Sequence, residues 1–190
     1  SRSNQGHEYF ITVFSPEGRL YQVGTFSSNL EYAFKAVKTS GLTSIGVRGK
    51  DSVVLLTEKR ISDRFIDPDT VTNIFNISQR IDALLPDSPD QLMHPADARN
   101  IVTRLRYEAA NFKHEFGYNV PVDFLASRLA DYNQINTQKA LQRVFGVETI
   151  VAGIDEEKGP VLYKVDPSGY YYGYKAVGSG VKEQDAVNYM

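Results

Sequence analysis

The 190-residue chain has no cysteine, no tryptophan, two methionines and three histidines. Without cysteine there is no disulfide, no thiolate metal site and no cysteine nucleophile. His7, His94 and His114 are scattered, with no i,i+4 pair and no carboxylate constellation beside them, so no metal site is expected. No apolar run approaches the ~18 residues of a membrane span, and no secretory apolar segment follows Ser1. A membrane is therefore not an expected partner, and cytoplasm and nucleus are the expected compartments. Neither sign of charge is in excess: 21 basic against 23 acidic residues give a formal net charge of −2, which offers nucleic acid no electrostatic footprint. A phosphate loop is missing as well. Gly178-Ser179-Gly180 lacks the lysine and the full spacing, and reads as a place where a strand turns into a helix. No cofactor is implied.

A hydrophobic content of 42% and a charged content of 23% are those of an ordinary globular chain, long enough for one large domain or two small ones. Ser1 to Glu8 are polar and read as an arm. Ser15-Pro16-Glu17-Gly18 has the composition of a tight turn, in which proline fixes φ and glycine accepts positive φ. After Arg19, Leu20, Val23, Leu30, Phe34 and Val37 fall near one helical face, interrupted by the weak helix formers Gly24, Thr25, Ser27, Ser28 and Asn29. Seven residues are about two helical turns, so removing Gly24 to Leu30 leaves the remaining stripe in phase.

Gly41 to Val47 and Ser52 to Thr57 read as strands around the polar turn 48–51, and the continuous run Val53 to Leu56 predicts a strand buried on both faces. Ile74 to Ile77 is a weaker strand candidate. Ala83 to Pro95 carries three prolines, which argues against an interior strand or helix. Ala96 to Phe116 is the clearest helix, with Ile101, Leu105, Ala109, Phe112 and Phe116 in step and Gly117 as its stop. A second helix is predicted over Val122 to Gln138, with Leu125, Leu129, Tyr132 and Ile135 on its apolar side and Pro121 at its entry. Val147 to Gly153, Val161 to Val165 and Tyr170 to Ala176 read as strands separated by Asp/Gly/Pro turns, and a further helix begins near Val181. Strands, two helices, strands and a helix predict an α+β layered sandwich with the helix pair on one sheet face.

The residues from Phe14, F-S-P-E-G-R-L-Y-Q-V, followed after a gap by E-Y-A-F-K-A, resemble the N-terminal signature of proteasome alpha subunits, split here by Gly24 to Leu30. R-Y-E-A-A-N-F from Arg106, G-I-D-E-E-K-G-P from Gly153 and D-P-S-G-Y-Y-Y-G-Y-K-A from Asp166 look like the alpha type-6 branch of that family. The resemblance implies the four-layer αββα sandwich of N-terminal nucleophile hydrolases. It also implies a single domain over residues 15–190 behind a gate arm of residues 1–14, incomplete at the C-terminus because the family continues beyond Met190.

The same resemblance implies a non-catalytic structural and gating subunit of the 20S alpha ring, serving ubiquitin-dependent protein degradation. Its implied partners are neighbouring alpha subunits, beta-ring subunits, and regulatory-particle ATPases or other activators. Where the family usually carries Tyr-Asp-Arg before the turn, this chain has His7, Glu8 and Tyr9, so Glu8 retains the acidic character. Glu8, Pro16, Gly18, Arg19 and Tyr32 are the implied gate and ring-contact residues. By alignment to the catalytic paralogues, the nucleophilic threonine falls on Leu42 and its lysine on Asn73; Thr43 next door is internal and has no free amine. Asn73 also stands where some alpha subunits place the lysine of an activator pocket, and an amide cannot form the charge-assisted pair. Because of its poor helix propensity, the insert is expected to bulge out of the helix. Two other readings remain: a mis-spliced variant that does not assemble, with an exposed sheet edge and uncovered apolar faces, and an active threonine hydrolase cleaved before Thr43.

Overall fold

The computed structural model describes residues 23–39, 42–61, 63–86, 94–138 and 143–189. Helix α1 (Val23–Thr39) leads into strands β1 (Thr43–Arg48) and β2 (Val53–Thr57), then β3 (Ile74–Ser78) and β4 (Ile81–Leu84). Helices α2 (His94–Phe116) and α3 (Val122–Gln138) follow, then β5 (Thr149–Asp155), β6 (Gly159–Val165), β7 (Tyr171–Gly173), β8 (Ala176–Gly180) and α4 (Glu183–Tyr189). All strand pairings are antiparallel and form two sheets, one ordered β3-β4-β5-β6-β7 and the other β2-β1-β8.

Four layers result, in the αββα order. The α2–α3 pair packs on the five-stranded sheet. Ile101, Leu105, Leu125 and Leu129 from the helices meet Ile81, Ala83, Val151 and Val165 from the strands there. Between the sheets lies a smaller core of Leu84, Ile150, Ala152, Leu162 and Val177. Helix α4 covers the outer face of the three-stranded sheet over β8 and β1, and α1 packs on α3 and β8. Among the described residues no helix is long and apolar enough to cross a membrane.

Both long helices form where the sequence predicts them. Gly117, at φ 80°, closes α2, with its N–H donating to the Lys113 carbonyl at 2.9 Å. The start of α2 is anchored by charge. Buried Asp97 accepts from both terminal nitrogens of Arg143, at 2.7 and 2.5 Å, and from the Gly146 amide at 3.4 Å. Arg143→Lys keeps the charge but loses the two-pronged fork. It is expected to lower unfolding free energy by about 1–2 kcal/mol, read as a lower urea midpoint at unchanged slope.

Five expectations need correction. Helix α1 is continuous through Gly24 to Leu30, so the seven residues lengthen the helix and do not bulge from it. Their near-integral number of turns leaves Ala33 and Val37 on the buried side, at 6% and 5% exposure, and this packing outweighs weak propensity. Among the described residues strand β2 is not buried on both faces: Val54 and Leu56 are half exposed or more, and α4 packs on β8 and β1 rather than over the outer side of β2. A strand does precede α2. Ile81 to Leu84 pair with both β3 and β5, and Ala83 and Leu84 are fully buried. The prolines do not interrupt it, since Pro86 comes after the strand has ended.

The apparent strand over Tyr170 to Ala176 is two strands in different sheets. Tyr174 N–H still bonds the Leu162 carbonyl of β6, while the Lys175 carbonyl already accepts from Arg48 of the other sheet. Gly178, Ser179 and Gly180 therefore belong to β8, and the turn follows them. Finally, Ile135 of α3 is exposed whereas Asn133 and Asn136 are buried. The Asp166–Gly169 turn closes over that helix face, where Asn133 Nδ2 donates to the Asp166 carbonyl at 2.8 Å.

Candidate functional site

The resemblance to proteasome alpha subunits puts the nucleophile's place of the catalytic paralogues at Leu42, at the mouth of β1. Leu42 there is completely buried. Its carbonyl accepts from Val181 N–H at 3.3 Å, and the carbonyl of Thr43 accepts from Glu58 N–H at 3.0 Å. Thr43 pairs across the sheet with Gly180. Gly180 has φ 99°, and a Cβ there would lie 1.9 Å from the Leu42 carbonyl oxygen. The Leu42–Thr43 backbone is thus held on both sides within a continuous chain, with no free amine to act as a base. Asn73, on the approach to β3, is buried at 6% exposure, and its carbonyl accepts from Leu85 N–H at 2.9 Å. No cationic side chain stands at that position.

Beneath β1 and β8 runs a buried polar seam. Lys164, on the inter-sheet face of β6, places Nζ 3.0 Å from Glu148 Oε2, 2.6 Å from Glu183 Oε1 and 3.1 Å from the Gly178 carbonyl. Ser179 Oγ donates to the same Glu148 oxygen at 2.6 Å, and Ser44 and Thr57 share a hydroxyl hydrogen bond of 2.8 Å. Burial by itself would lower the Lys164 pKa. The charge of Glu148 and the hydrogen bonds to Glu183 and Glu148 outweigh it, so the ammonium is held above its ordinary range. The seam joins β6, β8, α4 and the residue preceding β5 as a structural tie.

Sequence reasoning missed this seam. The available signals were a lysine interrupting Val161-Leu162-Tyr163-Lys164-Val165 and a glutamate between Val147 and Thr149; neither identified its partner. Of the implied ring-contact residues, Glu8, Pro16, Gly18 and Arg19 lie outside the described residues, and Tyr32 stands on α1 at 70% exposure. The described structure therefore brings none of these together. Tyr32 and Asn73 sit on separate elements, one exposed and one buried. Among the described residues no group of three or more His, Cys, Asp or Glu side chains could hold a metal ion.

A double sheet flanked on both sides by helices has the layer order of the N-terminal nucleophile hydrolase class. The sequence pattern of the proteasome subunit family matches residues 37–190, and the chain belongs to that family. It is 43% identical over 186 residues to a probable proteasome subunit alpha type-1 of Schizosaccharomyces pombe, covering 98% of this chain and 71% of the relative. It is 40% identical over 192 residues to proteasome subunit alpha type-6 of Caenorhabditis elegans, covering 99% and 71% respectively. Identity to the archaeal proteasome subunit alpha of Thermococcus gammatolerans is 42% over 175 residues, covering 92% of this chain and 61% of the relative.

Proposed function

We propose that this chain is a non-catalytic subunit of the 20S proteasome alpha ring. It packs laterally between alpha neighbours, stacks on a beta ring and helps to gate substrate entry. Peptide bonds of unfolded, ubiquitin-tagged proteins are cut elsewhere in the particle, in cytoplasm and nucleus. The observation that carries this reading is the nucleophile's place itself: buried, hydroxyl-free Leu42, inside a continuous backbone, on a proteasome-family sandwich. Pro16, Gly18, Arg19 and Tyr32 are its ring-contact residues, with Glu8 in the gate arm. Asn73 replaces a charged activator contact with a neutral one, so regulatory ATPases and other activators dock mainly through neighbouring subunits.

The test is to express the tagged chain in cells, purify 20S particles through a beta subunit, and identify alpha subunits by mass spectrometry. The chain is expected in the particle, and Thr43→Ala is expected to leave particle peptidase activity unchanged. Absence from every particle would overturn the ring role. Hydrolysis by the isolated chain, blocked by a threonine-directed reagent, would overturn its non-catalytic character.

One observation favours a second reading, in which the chain fails to assemble. Strand β2 is an edge of its sheet among the described strands, and Val54 and Leu56 are 50% and 59% exposed on its outer face. An open, apolar strand edge favours self-association. The mass-spectrometric experiment separates the two readings.

A further inference from the structure

At the sheet end opposite the mouth of β1, the β3–β4 turn, the α2–α3 loop and the β5–β6 turn come together. Strand β5 runs from Thr149, beside the polar seam, to Asp155, so this end lies about 20 Å from the seam. Between the three connections is a cleft of about 320 Å³ whose apolar lining includes Ile81, Val120 and Pro121. A second hollow of about 150 Å³, between α2 and the β3–β4 turn, shares Ser78, Asn119 and Val120 with the first. The two therefore form one groove.

Its walls are held by bonds within the fold. Asp155 Oδ1 accepts from the amides of Glu157 and Lys158, at 2.9 and 3.0 Å, which fixes the β5–β6 turn. The Arg80 carbonyl accepts from Ile154 N–H at 3.1 Å, and the ring of Tyr118 stands edge-on to Phe112 with 5.2 Å between centroids. A groove so held needs little ordering when a ligand enters.

Charge is separated along it. In the larger cleft Lys158 pairs with Asp123 and Arg80 with Glu156, and these pairs cancel. Asp155 and Glu157 are left over, with no ion pair among the described residues, beside the exposed ring of Tyr118. In the smaller hollow the charge left over is positive. Arg106 directs two of its donors, at 2.9 and 2.8 Å, to the neutral Asn76 carbonyl, and Lys113 has no ion pair among the described residues. Half-buried Asn119 lies where the two hollows join, and its amide carries both donors and an acceptor.

A ligand with two positive charges would meet Arg106 and Lys113, and one with two negative charges would meet Asp155 and Glu157. One charge of each sign suits both ends. A cation in the larger cleft also gains the face of Tyr118, and a peptide main chain crossing between the hollows finds the Asn119 amide. The geometry points to a docking groove for a short, extended protein segment that carries one basic and one acidic side chain. The basic side chain enters the larger cleft against Asp155, Glu157 and Tyr118, and the acidic one enters the smaller hollow against Arg106 and Lys113. This site does not rest on the ring role proposed above.

The full chain is titrated by calorimetry, at low ionic strength, with acetylated and amidated hexapeptides that hold one glutamate and one arginine in both orders and at several spacings. Peptides with two glutamates or two arginines are the controls. One mixed peptide is expected to bind about ten-fold more tightly than either control. Glu157→Lys and Lys113→Glu, both at exposed positions, should each weaken it about five-fold with the urea midpoint unchanged. Combined, they exchange one charge at each end and should move the preference toward the peptide of opposite order. Should either reversal lower the midpoint, Glu157→Gln and Lys113→Gln take its place, with an expected loss of about two-fold. Equal binding of mixed and single-sign peptides, or no binding of any, would overturn the groove. An affinity indifferent to both substitutions would overturn it too, and so would preference for the two-arginine control, because the acidic rim would then act alone.

Discussion

Lys164→Met is expected to lower the unfolding free energy by about 3–5 kcal/mol, because it leaves a buried carboxylate without its cation. Lys164 and Glu148 have side chains only 11% and 9% exposed, and the lysine serves the residue preceding β5, the β8 backbone and α4 through one nitrogen. Methionine fills a similar volume, so packing loss contributes little beside the orphaned charge. Against a total stability of ~5–15 kcal/mol for an ordinary domain this is a large fraction. Pairing the substitution with Glu148→Gln should restore roughly half, since the buried anion is gone and the amide oxygen can still accept from Ser179. Urea denaturation of the two single variants and the double variant measures the coupling. Additive losses would show that the lysine and glutamate do not act as a pair.

The same tie gives a pH signature. The folded-state pKa of Lys164 is raised above its ordinary 10.5, with the two glutamates more than offsetting the burial that would lower it. A group of this kind contributes stability that is fully present below its unfolded pKa and is lost as the pH rises through the folded pKa. The stability gap between the natural chain and Lys164→Met should therefore be flat from neutral pH to about pH 10 and shrink above it. A gap that instead shrank toward acidic pH would mean that protonation of the glutamates governs the seam.

Much of the fold was legible because its strongest signals are local. Val122 to Gln138 is helical from the first predicted residue to the last, and α2 differs only by two residues at its start. Asp/Gly/Pro turns correctly separated β5, β6 and β7. What failed depends on contacts distant in sequence. The apolar run Val53 to Leu56 does not reveal that, among the described residues, one side of β2 is left exposed. Tyr170 to Ala176 does not reveal that the chain changes sheets after Tyr174. Asn133 is buried only because the Asp166 turn, 33 residues later, supplies its acceptor. At the candidate site, the sequence shows that Leu42 has no hydroxyl and Asn73 no charge, but not that both are buried. The Lys164–Glu148–Glu183 seam was not, since its members come from three separated elements. The insert was misjudged for a related reason: single-residue propensities were set against a helix whose stability comes from docking at Ala33 and Val37.

Gly180→Ala is expected to be among the most damaging conservative substitutions in the chain, at about 3 kcal/mol or more. Two separate effects combine. At φ 99° an alanine backbone is strained, and the new Cβ would lie 1.9 Å from the Leu42 carbonyl oxygen, a fixed backbone atom that also accepts from Val181. Gly117→Ala isolates the first effect: φ there is 80°, but nothing lies within 4 Å of the added methyl group. That variant should lose only about 1 kcal/mol. The difference between the two, read from denaturation midpoints, is the steric cost of separating β8 from the mouth of β1. Equal losses would mean that Leu42 yields freely and that the close β1–β8 approach does not constrain it. A clearly larger loss for Gly180→Ala would mean that the approach holds Leu42 inside the sandwich, so that the nucleophile's place is closed by backbone packing as well as by its leucine side chain.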